Sequence, residues 1–272
     1  MEAVRRALDE DLRSEGDITS RALIPPDMRG RGVIVMREEG VVAGLPLASM
    51  TFRLLDPRVR FQPLVSDGDR PATPAEIAVV EGKVSTILEG ERTALNFLQR
   101  LSGVATLTSR FVAATAPYGV EVLDTRKTTP GLRTLEKYAV RAGGGRNHRF
   151  GLYDGVLIKD NHITAVGGTA EAVRRAREAL GPETSIEVEV QDLEELEEAI
   201  RAGADVVMLD NLSVEEVREA VRRAAGRVKL EVSGGINLEN VASYASTGVD
   251  FISVGALTHS APALDIALEL SM

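Results

Sequence analysis

The second part of the chain alternates short apolar runs with longer amphipathic segments. From residue 120 onward the apolar runs are VEVLD, GVLIKD, SIEVEV, DVVMLD, VKLEVSGG and DFISVGA. The later runs begin roughly 20 to 24 residues apart, and segments with helical spacing, such as LEELEEAIRAG and SVEEVREAVRRAAG, separate them. Strands that alternate with helices form parallel sheets, because each connection must return to the same end of the sheet. Six or seven strands at this spacing favour a closed or nearly closed β/α barrel.

A doubly wound open sheet is the architectural alternative. Its dinucleotide fingerprint, G-x-G-x-x-G after the first strand, is absent from the sequence. The barrel is therefore the preferred interpretation.

The first part of the chain has a different pattern of apolar and polar residues. Residues 1 to about 103 combine an amphipathic helix (Val4, Leu8, Leu12) with strand-like runs, GVIVMREEGVVAG and AEIAVVEGKVSTIL, and with turn signals such as SDGDRPATP. This pattern predicts a separate α+β domain. A long helix over EGERTALNFLQRLSGVATLTSRFVAATAPYG, ending near Pro117 and Gly119, is predicted to link it to the second domain.

Composition and charge exclude several classes of protein. The net charge of −9 argues against nucleic acid or an anionic membrane as the main partner, because both are bound chiefly by basic surfaces. The chain has no cysteine, which excludes disulfides, thiolate zinc sites and cysteine nucleophiles. No apolar run is long enough to cross a bilayer and the N-terminus lacks the apolar centre of a signal peptide, so a cytoplasmic location is expected.

A cluster of cations stands out against this acidic background. It lies between Leu123 and His162, and its members are Arg126, Lys127, Arg146, His148, Arg149 and Lys159. One interpretation is a solvated, glycine-rich surface loop. The other is a pocket for a small molecule with several negative charges, held by arginine forks and lysine point charges.

Polar residues follow the predicted strands, at the end where a β/α barrel places its reaction site. Two glycine-rich segments, SGGIN and SVGALTHS, follow the last two strands and could present backbone N–H groups to phosphate, or could be ordinary turns. Glu187, Glu189 and Asp210 could hold Mg²⁺ or sugar hydroxyls, stabilise a sugar cation, or form structural ion pairs. The irregular spacing of His148, His162 and His259 makes a catalytic zinc site a poor interpretation.

Several motifs together resemble the quinolinate phosphoribosyltransferase family, the type II phosphoribosyltransferases of NAD synthesis. They are GDITS, ERTALNFLQRLSG, DTRKTTPGLR, GGGRNHRFGLYDGVLIKDNH, EVEV, MLDN, EVSGGI and ISVGALTHS, in order over most of the chain. The resemblance implies an N-terminal α/β sandwich domain (1–103) and an incomplete, seven-stranded β/α barrel (104–261). A C-terminal helix (262–272) is expected to return to the first domain.

The resemblance also implies a reaction and a set of site residues. The enzyme would transfer phosphoribose from phosphoribosyl pyrophosphate to quinolinate, with loss of CO₂. Arg126, His148, Arg149 and Lys159 would hold the quinolinate carboxylates, and Lys127 would lie at the junction of the two substrates. The catalytic residues would be Lys127, Glu189 and Asp210, with Glu189 and Asp210 also facing Mg²⁺, directly or indirectly. Ser233, Gly235, Gly255 and His259 would surround phosphate groups. Members are homodimers or trimers of dimers, in which Arg92 would complete the neighbouring site.

Three other functions remain possible from the residues alone. Lys159, at a strand end, could be the Schiff-base nucleophile of a class I aldolase, although one sugar phosphate would not need so many cations. A nicotinate-specific phosphoribosyltransferase is closer in chemistry, but it has one carboxylate fewer to hold. A nucleotide sensor or scaffold could keep the fold without turnover.

Overall fold

A computed structural model describes residues 1–271 of the chain. In chain order the elements are α1 (Glu2–Leu12), α2 (Ile18–Leu23), β1 (Arg29–Met36), α3 (Leu45–Leu55), β2 (Arg60–Pro63), β3 (Ala75–Lys83), α4 (Val84–Thr115), β4 (Glu121–Leu123), α5 (Arg133–Ala142), β5 (Val156–Ile158), α6 (Asp160–Val166), α7 (Thr169–Leu180), β6 (Ile186–Val190), α8 (Leu193–Ala202), β7 (Val206–Asp210), α9 (Val214–Ala224), β8 (Lys229–Ser233), α10 (Val241–Ala245), β9 (Phe251–Ser253), α11 (Ala256–His259) and β10 (Ile266–Ser271). Among the helices of residues 1–271, none is both long and apolar enough to cross a membrane.

The chain divides into two units. The first comprises Met1–Ser109, Thr129–Gly144 and Ser260–Met272, and the second comprises Arg110–Thr128 and Gly145–His259. The division falls within α4, after Ser109, and the α5 segment belongs to the first unit. The domain boundaries expected from the sequence stay a prediction.

The first unit contains an antiparallel sheet of order β10-β1-β3-β2. The apolar residues of β1 and β3 alternate poorly but are mostly buried, and together with α3 and α4 they form one core that includes Ile34, Phe52, Ile77 and Leu98. The predicted amphipathic helix is confirmed as α1, with Val4 and Leu8 buried. In GDITS, the Asp17 side chain accepts hydrogen bonds from the N–H groups of Thr19 and Ser20 and so begins α2.

The C-terminal segment corrects one prediction. The family resemblance implied a helix over residues 262–272, of which Met272 lies outside the described residues. The structure has a strand, β10, whose Ile266, Leu268 and Leu270 recur at every second position. Its Ile266 pairs with Met36 and its Leu270 with Gly32, at the edge of the first unit's sheet. The sheet neighbour and the two-residue period outweigh the helix propensity of the segment.

The second unit contains a parallel sheet of order β4-β9-β8-β7-β6-β5. All six apolar runs form strands, as predicted. The first strand pairs with the last rather than with the second, which is the order of a barrel opened between β4 and β5 and not of a doubly wound sheet. Arg146 forms an isolated parallel bridge with Leu123 beside β4, so the predicted count of seven strands is not confirmed. All carboxyl ends lie at one edge of this sheet.

Candidate active site

The carboxyl ends of the second unit's strands surround a cavity of 430 Å³. Nine of the predicted site residues line it: Arg126, Lys127, His148, Arg149, Lys159, Glu189, Asp210, Ser233 and Gly235. The structure therefore brings together residues that are more than 100 positions apart in the sequence, and most of the predicted cationic cluster faces this cavity.

The loop after β4 supplies two of the cations. Within it, Thr125 Oγ1 accepts a hydrogen bond from the Lys127 N–H at 3.1 Å. Thr258 Oγ1 donates a hydrogen bond to the Lys127 carbonyl at 2.8 Å, which ties this loop to α11. These contacts fix the backbone while the Lys127 side chain stays exposed.

Gly255 and His259 lie beside Lys127 rather than in the cavity wall. A Cβ placed on Gly255 would be 3.2 Å from His259 Nε2 and 3.2 Å from Lys127 Cδ. A side chain at position 255 would therefore displace Lys127 or His259, and glycine allows the loop after β4 and α11 to lie close together.

A fully buried carboxylate anchors the loop that carries His148 and Arg149. Asp124 Oδ1 accepts the His148 N–H at 2.9 Å, and Asp124 Oδ2 accepts Asn147 Nδ2 at 2.5 Å. Asp124 is the last residue of the predicted strand VEVLD, and no role was predicted for it. Its position directly after an apolar run was the available signal.

Arg149 stands close to a second guanidinium. Burial, and then the charge of Arg126, lower the pKa of Arg149, while Glu187 and Glu189 oppose the shift. Arginine remains charged at any ordinary pH. Two neighbouring guanidinium groups that repel each other are stabilised by an anion between them, so this part of the cavity is suited to a carboxylate or phosphate.

Lys159 and Glu189, both of which line the cavity, form an ion pair. Glu189 projects from β6 on the same face as Glu187, two residues earlier, and is mostly buried. The Lys159 N–H donates a hydrogen bond to His162 Nδ1 at 3.0 Å, which fixes the start of α6. An ion-paired ammonium is not the free amine that a Schiff-base nucleophile requires, so the aldolase interpretation loses support.

One residue that lines the cavity, His148, contacts two buried carboxylates that do not line it. His148 Nε2 is 3.0 Å from Glu187 Oε2 and 3.6 Å from Glu231 Oε2. The His148 Nδ1 accepts the Arg149 N–H at 2.8 Å. Both ring nitrogens therefore contact protein groups, while His148 also lines the cavity. Its role in holding a substrate carboxylate stays a prediction.

Glu231 is the member of this cluster that sequence reasoning missed. It lies on β8 and is 2% exposed, and Ser253 Oγ donates a hydrogen bond to its Oε1. Burial and the neighbouring Glu187 carboxylate raise the pKa of Glu231 to about 8, although His148 and Ser253 act in the opposite direction. The only sequence signal was one acid within the apolar run of β8.

A Glu231→Gln variant should change how stability depends on pH. The folded chain binds the Glu231 proton more tightly than the unfolded chain, so the wild-type free energy of unfolding falls as pH rises from about 4.5 towards 8. Glutamine does not ionise, so the variant lacks this decrease in the free energy of unfolding. We expect the Tm difference, variant minus wild type, to increase over that range in thermal unfolding. A Glu194→Gln control at an exposed position should show no such trend, and a constant difference for Glu231→Gln would refute the buried neutral acid.

The loops after β7 and β8 interlock at the opposite wall. Asn211 adopts a left-handed backbone with φ of 57°, and its Nδ2 donates to Asp210 Oδ2 at 2.9 Å. Its N–H donates to the Ser233 carbonyl at 2.9 Å. Gly235 follows with positive φ, and α10 begins only at Val241, so no helix starts directly after SGGIN.

Gly234→Ala should destabilise the protein more than Gly235→Ala. Both glycines have positive φ, which costs an alanine roughly 1 to 2 kcal/mol. At Gly234 the new Cβ would also meet Asn211 Oδ1 at 2.2 Å, whereas nothing lies within 4 Å of a Cβ at Gly235. Thermal unfolding of the two variants measures the difference. Equal Tm values would show that the loops do not interlock.

Arg92 lies outside this group. It is an exposed residue of α4 in the first unit, where it lines a separate cavity of 310 Å³ with Asn96 and Arg100. Its predicted role in a neighbouring subunit stays a prediction.

The carboxylates present suit a hard cation better than zinc. Within residues 1–271, the group with metal-ligand spacing is His148, Glu187 and Glu231, so the three histidines do not assemble. Glu189 and Asp210 both line the cavity with carboxylate oxygens. Mg²⁺ is commonly bound by one or two carboxylates together with substrate phosphates, and these two residues fit that pattern.

A parallel β/α sheet with an arginine- and lysine-lined cavity at its carboxyl ends places this chain in the class of α/β proteins whose sites lie at the strand ends. Comparison with known families finds both domains of a single family in this chain. Residues 17–102 match the quinolinate phosphoribosyl transferase N-terminal domain, and residues 104–269 match the C-terminal domain of the same family. The chain belongs to the quinolinate phosphoribosyltransferase family.

Individual relatives are similar over nearly their whole length. The probable nicotinate-nucleotide pyrophosphorylase [carboxylating] of Bacillus subtilis (strain 168) is 47% identical, covering 97% of this chain and 90% of the relative. The nicotinate-nucleotide pyrophosphorylase [carboxylating] of Mycobacterium leprae is 45% identical, covering 99% and 96%. The solved nicotinate-nucleotide pyrophosphorylase of Francisella tularensis has a TM-score of 0.95 at 45% identity, covering 99% and 95%.

Proposed function

We propose that this protein transfers the phosphoribosyl group of phosphoribosyl pyrophosphate to quinolinate and releases CO₂, giving nicotinate mononucleotide and pyrophosphate for NAD biosynthesis. The observation that carries the proposal is the cavity in which Arg126, Arg149 and Lys159 converge within a chain of net charge −9. The names of its relatives at 40 to 47% identity support the same reaction.

Quinolinate binds through its two adjacent carboxylates. Their hydration is lost in the cavity, and charge-assisted bonds from Arg126 and Arg149 replace it. Lys159 supplies a further point charge, while its ion pair with Glu189 keeps the ammonium at the cavity. Lys127, on the neighbouring loop, lies between this diacid and the phosphoribosyl donor.

Phosphoribosyl pyrophosphate occupies the wall formed by β7, β8 and β9. Ser233, Gly235 and Gly255 present backbone or hydroxyl donors to its phosphates, and His259 lies beside them. Glu189 and Asp210 would hold Mg²⁺, which when bound neutralises charge on pyrophosphate.

The chemistry then follows from charge. As the bond from ribose C1 to pyrophosphate breaks, positive charge develops on the sugar, and the Glu189 carboxylate stabilises it. The quinolinate nitrogen donates its electron pair to C1 and becomes a pyridinium. The bond to the neighbouring carboxylate breaks, CO₂ leaves, the electron pair stays on the ring carbon beside the cationic nitrogen, and a solvent proton completes nicotinate mononucleotide. The protein positions and desolvates that carboxylate.

Four finer features belong to the same proposal. The second unit corresponds to an incomplete, seven-stranded barrel, with the Arg146 bridge to Leu123 marking the seventh position. The first unit corresponds to an α/β sandwich. The enzyme assembles as a homodimer or as a trimer of dimers, in which Arg92 on α4 reaches the site of a neighbouring subunit. Its location is cytoplasmic.

Incubation with quinolinate, phosphoribosyl pyrophosphate and Mg²⁺ tests the proposal, with CO₂ and nicotinate mononucleotide both followed. Equal amounts of the two products are expected. Turnover of nicotinate in preference to quinolinate would indicate the nicotinate-specific enzyme. Trapping of a Lys159 adduct with borohydride and an aldehyde would indicate an aldolase. Tight binding of both substrates without turnover would indicate a sensor or scaffold.

A further inference from the structure

The segment that precedes Arg149 runs beside β4 in the second unit. The Arg146 N–H donates to the Val122 carbonyl at 2.9 Å, and the Arg146 carbonyl accepts the Asp124 N–H at 3.2 Å. These two bonds are the ones that a single residue makes to its neighbour in a parallel ladder. In the next repeat of a regular ladder, the His148 N–H would donate to the Asp124 carbonyl.

The Asp124 side chain takes the place of that carbonyl. Its Oδ1 accepts the His148 N–H at 2.9 Å, and its Oδ2 accepts Asn147 Nδ2 at 2.5 Å. A carboxyl group extends further from the main chain than a carbonyl oxygen does, so the chain after β4 can turn away while the bond to His148 is kept. The ladder therefore ends at Asp124, and the two segments separate there.

The two separating segments carry two arginines of the cavity. Arg126 follows Asp124 by two residues, Arg149 directly follows His148, and both arginines line the cavity. Because the Asp124 contacts fix one end of each segment, they limit the distance between the backbones from which the two guanidinium groups project. Asp124 is fully buried, so it acts on a bound molecule only through these segments.

A fixed distance between two guanidinium groups matters for a diacid more than for a monoacid. Two carboxylates on adjacent ring carbons have a set separation, and both are bound at full strength only when their cationic partners match it. A single carboxylate needs one arginine, and it can follow that arginine when the loop moves.

We infer that Asp124 is a positioning residue that determines specificity: by ending the ladder with its side chain, it sets the spacing of Arg126 and Arg149 and so selects a ring with two adjacent carboxylates over a ring with one. The inference deepens the proposed function and rests on it for the identity of quinolinate as the diacid. The spacing itself can be tested without turnover.

Calorimetry of the full-length protein with two unreactive ligands measures this selectivity. Phthalate carries two adjacent carboxylates on a benzene ring and benzoate carries one, and neither has a ring nitrogen to attack phosphoribose. The wild type should bind phthalate about ten-fold more tightly than benzoate, or better. Asp124→Ala removes both bonds and should lower the ratio of the two affinities about ten-fold, with the benzoate affinity within about two-fold of the wild type. The quinolinate KM should rise by a similar factor.

An asparagine at this position tests whether the bonds or the charge matter. Its carbonyl oxygen can accept the His148 N–H, and the Asn147 amide can rotate to accept its NH₂ group. Asp124→Asn should therefore keep the wild-type ratio, whereas Asn147→Ala, which removes one bond, should give an intermediate ratio. The matched control is Asp250→Ala. It removes a bond from a carboxylate to the Leu230 N–H near the amino end of β8, away from the cavity, and should reduce stability without changing the ratio.

The outcomes separate this inference from the proposed function. An Asp124→Ala protein that is less stable but keeps the wild-type ratio would refute the positioning role, and so would an Asp124→Asn protein that loses it. If Asp124→Ala does not fold, an unchanged ratio in Asn147→Ala refutes the role. A wild type that binds phthalate and benzoate equally overturns the inference even if it turns over quinolinate. A wild type that prefers phthalate but does not turn over quinolinate refutes only the proposed function.

Discussion

Arg149→Ala is expected to raise the quinolinate KM about 100-fold, because removing one partner of a desolvated, hydrogen-bonded charge pair costs roughly 2 to 5 kcal/mol. Burial and the charge of Arg126 lower the pKa of Arg149, so two guanidinium groups repel each other in the free site. The bound diacid reduces this repulsion by placing negative charge between them. Steady-state kinetics with quinolinate varied at saturating phosphoribosyl pyrophosphate measures the effect, and calorimetry gives the corresponding Kd.

The matched control for this variant is Arg174→Ala. Arg174 is an exposed arginine of α7 that pairs with Glu171 and Glu178 on its own helix. Surface pairs of this kind contribute little, so its kinetics should equal those of the wild type. An unchanged quinolinate KM in Arg149→Ala would show that Arg149 does not contribute to substrate binding.

Glu189→Gln is expected to lower kcat by about 100-fold to 1,000-fold with a smaller change in either KM. The carboxylate has its main effect when positive charge develops on ribose, and the loss of one preorganised electrostatic contact costs about 3 to 4 kcal/mol in the transition state. Glutamine is nearly the same size, so the mostly buried position on β6 stays filled. Single-turnover kinetics separates this chemical step from product release.

The control is Glu215→Gln, at an exposed position in the first turn of α9. It tests whether the loss of one negative charge alone affects the rate. If Glu189→Gln instead raised a KM and left kcat unchanged, the carboxylate would contribute to binding and not to the chemistry. Glu189→Gln also removes the ion pair with Lys159, so KM and kcat are measured separately to distinguish an effect on binding from an effect on the chemistry.

The strands of the second unit could be predicted because the apolar sequence of each run and its burial in the sheet favour the same structure. Each of β4 to β9 is a short apolar run between helical segments, and a buried parallel strand requires such a run. Residues at the carboxyl ends of those strands then meet at one edge, which is why Lys127, Lys159 and Asp210 were found from the sequence.

Predictions failed where a tertiary neighbour decides the structure. VSTIL contains β-branched residues and was predicted as strand, but α4 begins at Val84 and buries Thr86 and Ile87 on one helical face. The C-terminal residues have helix-forming composition and nevertheless pair with β1. In both segments, burial against the first unit's core outweighs propensity.

The supporting residues of the site could not be predicted for a related reason. Asp124 and Glu231 act through atoms that come close only in the folded chain, and neither has a characteristic spacing to His148 in the sequence. Their burial is what distinguishes them from the many exposed acids of this chain. Arg92 is different, since its predicted partner is another subunit.

The most direct test of the central claim is a crystal structure of the protein with quinolinate. The account predicts the pyridine ring in the 430 Å³ cavity, with its two carboxylates bonded to Arg126, Arg149 and Lys159 and its nitrogen directed towards Glu189. Quinolinate bound at another place, with this cavity filled by solvent, would contradict it.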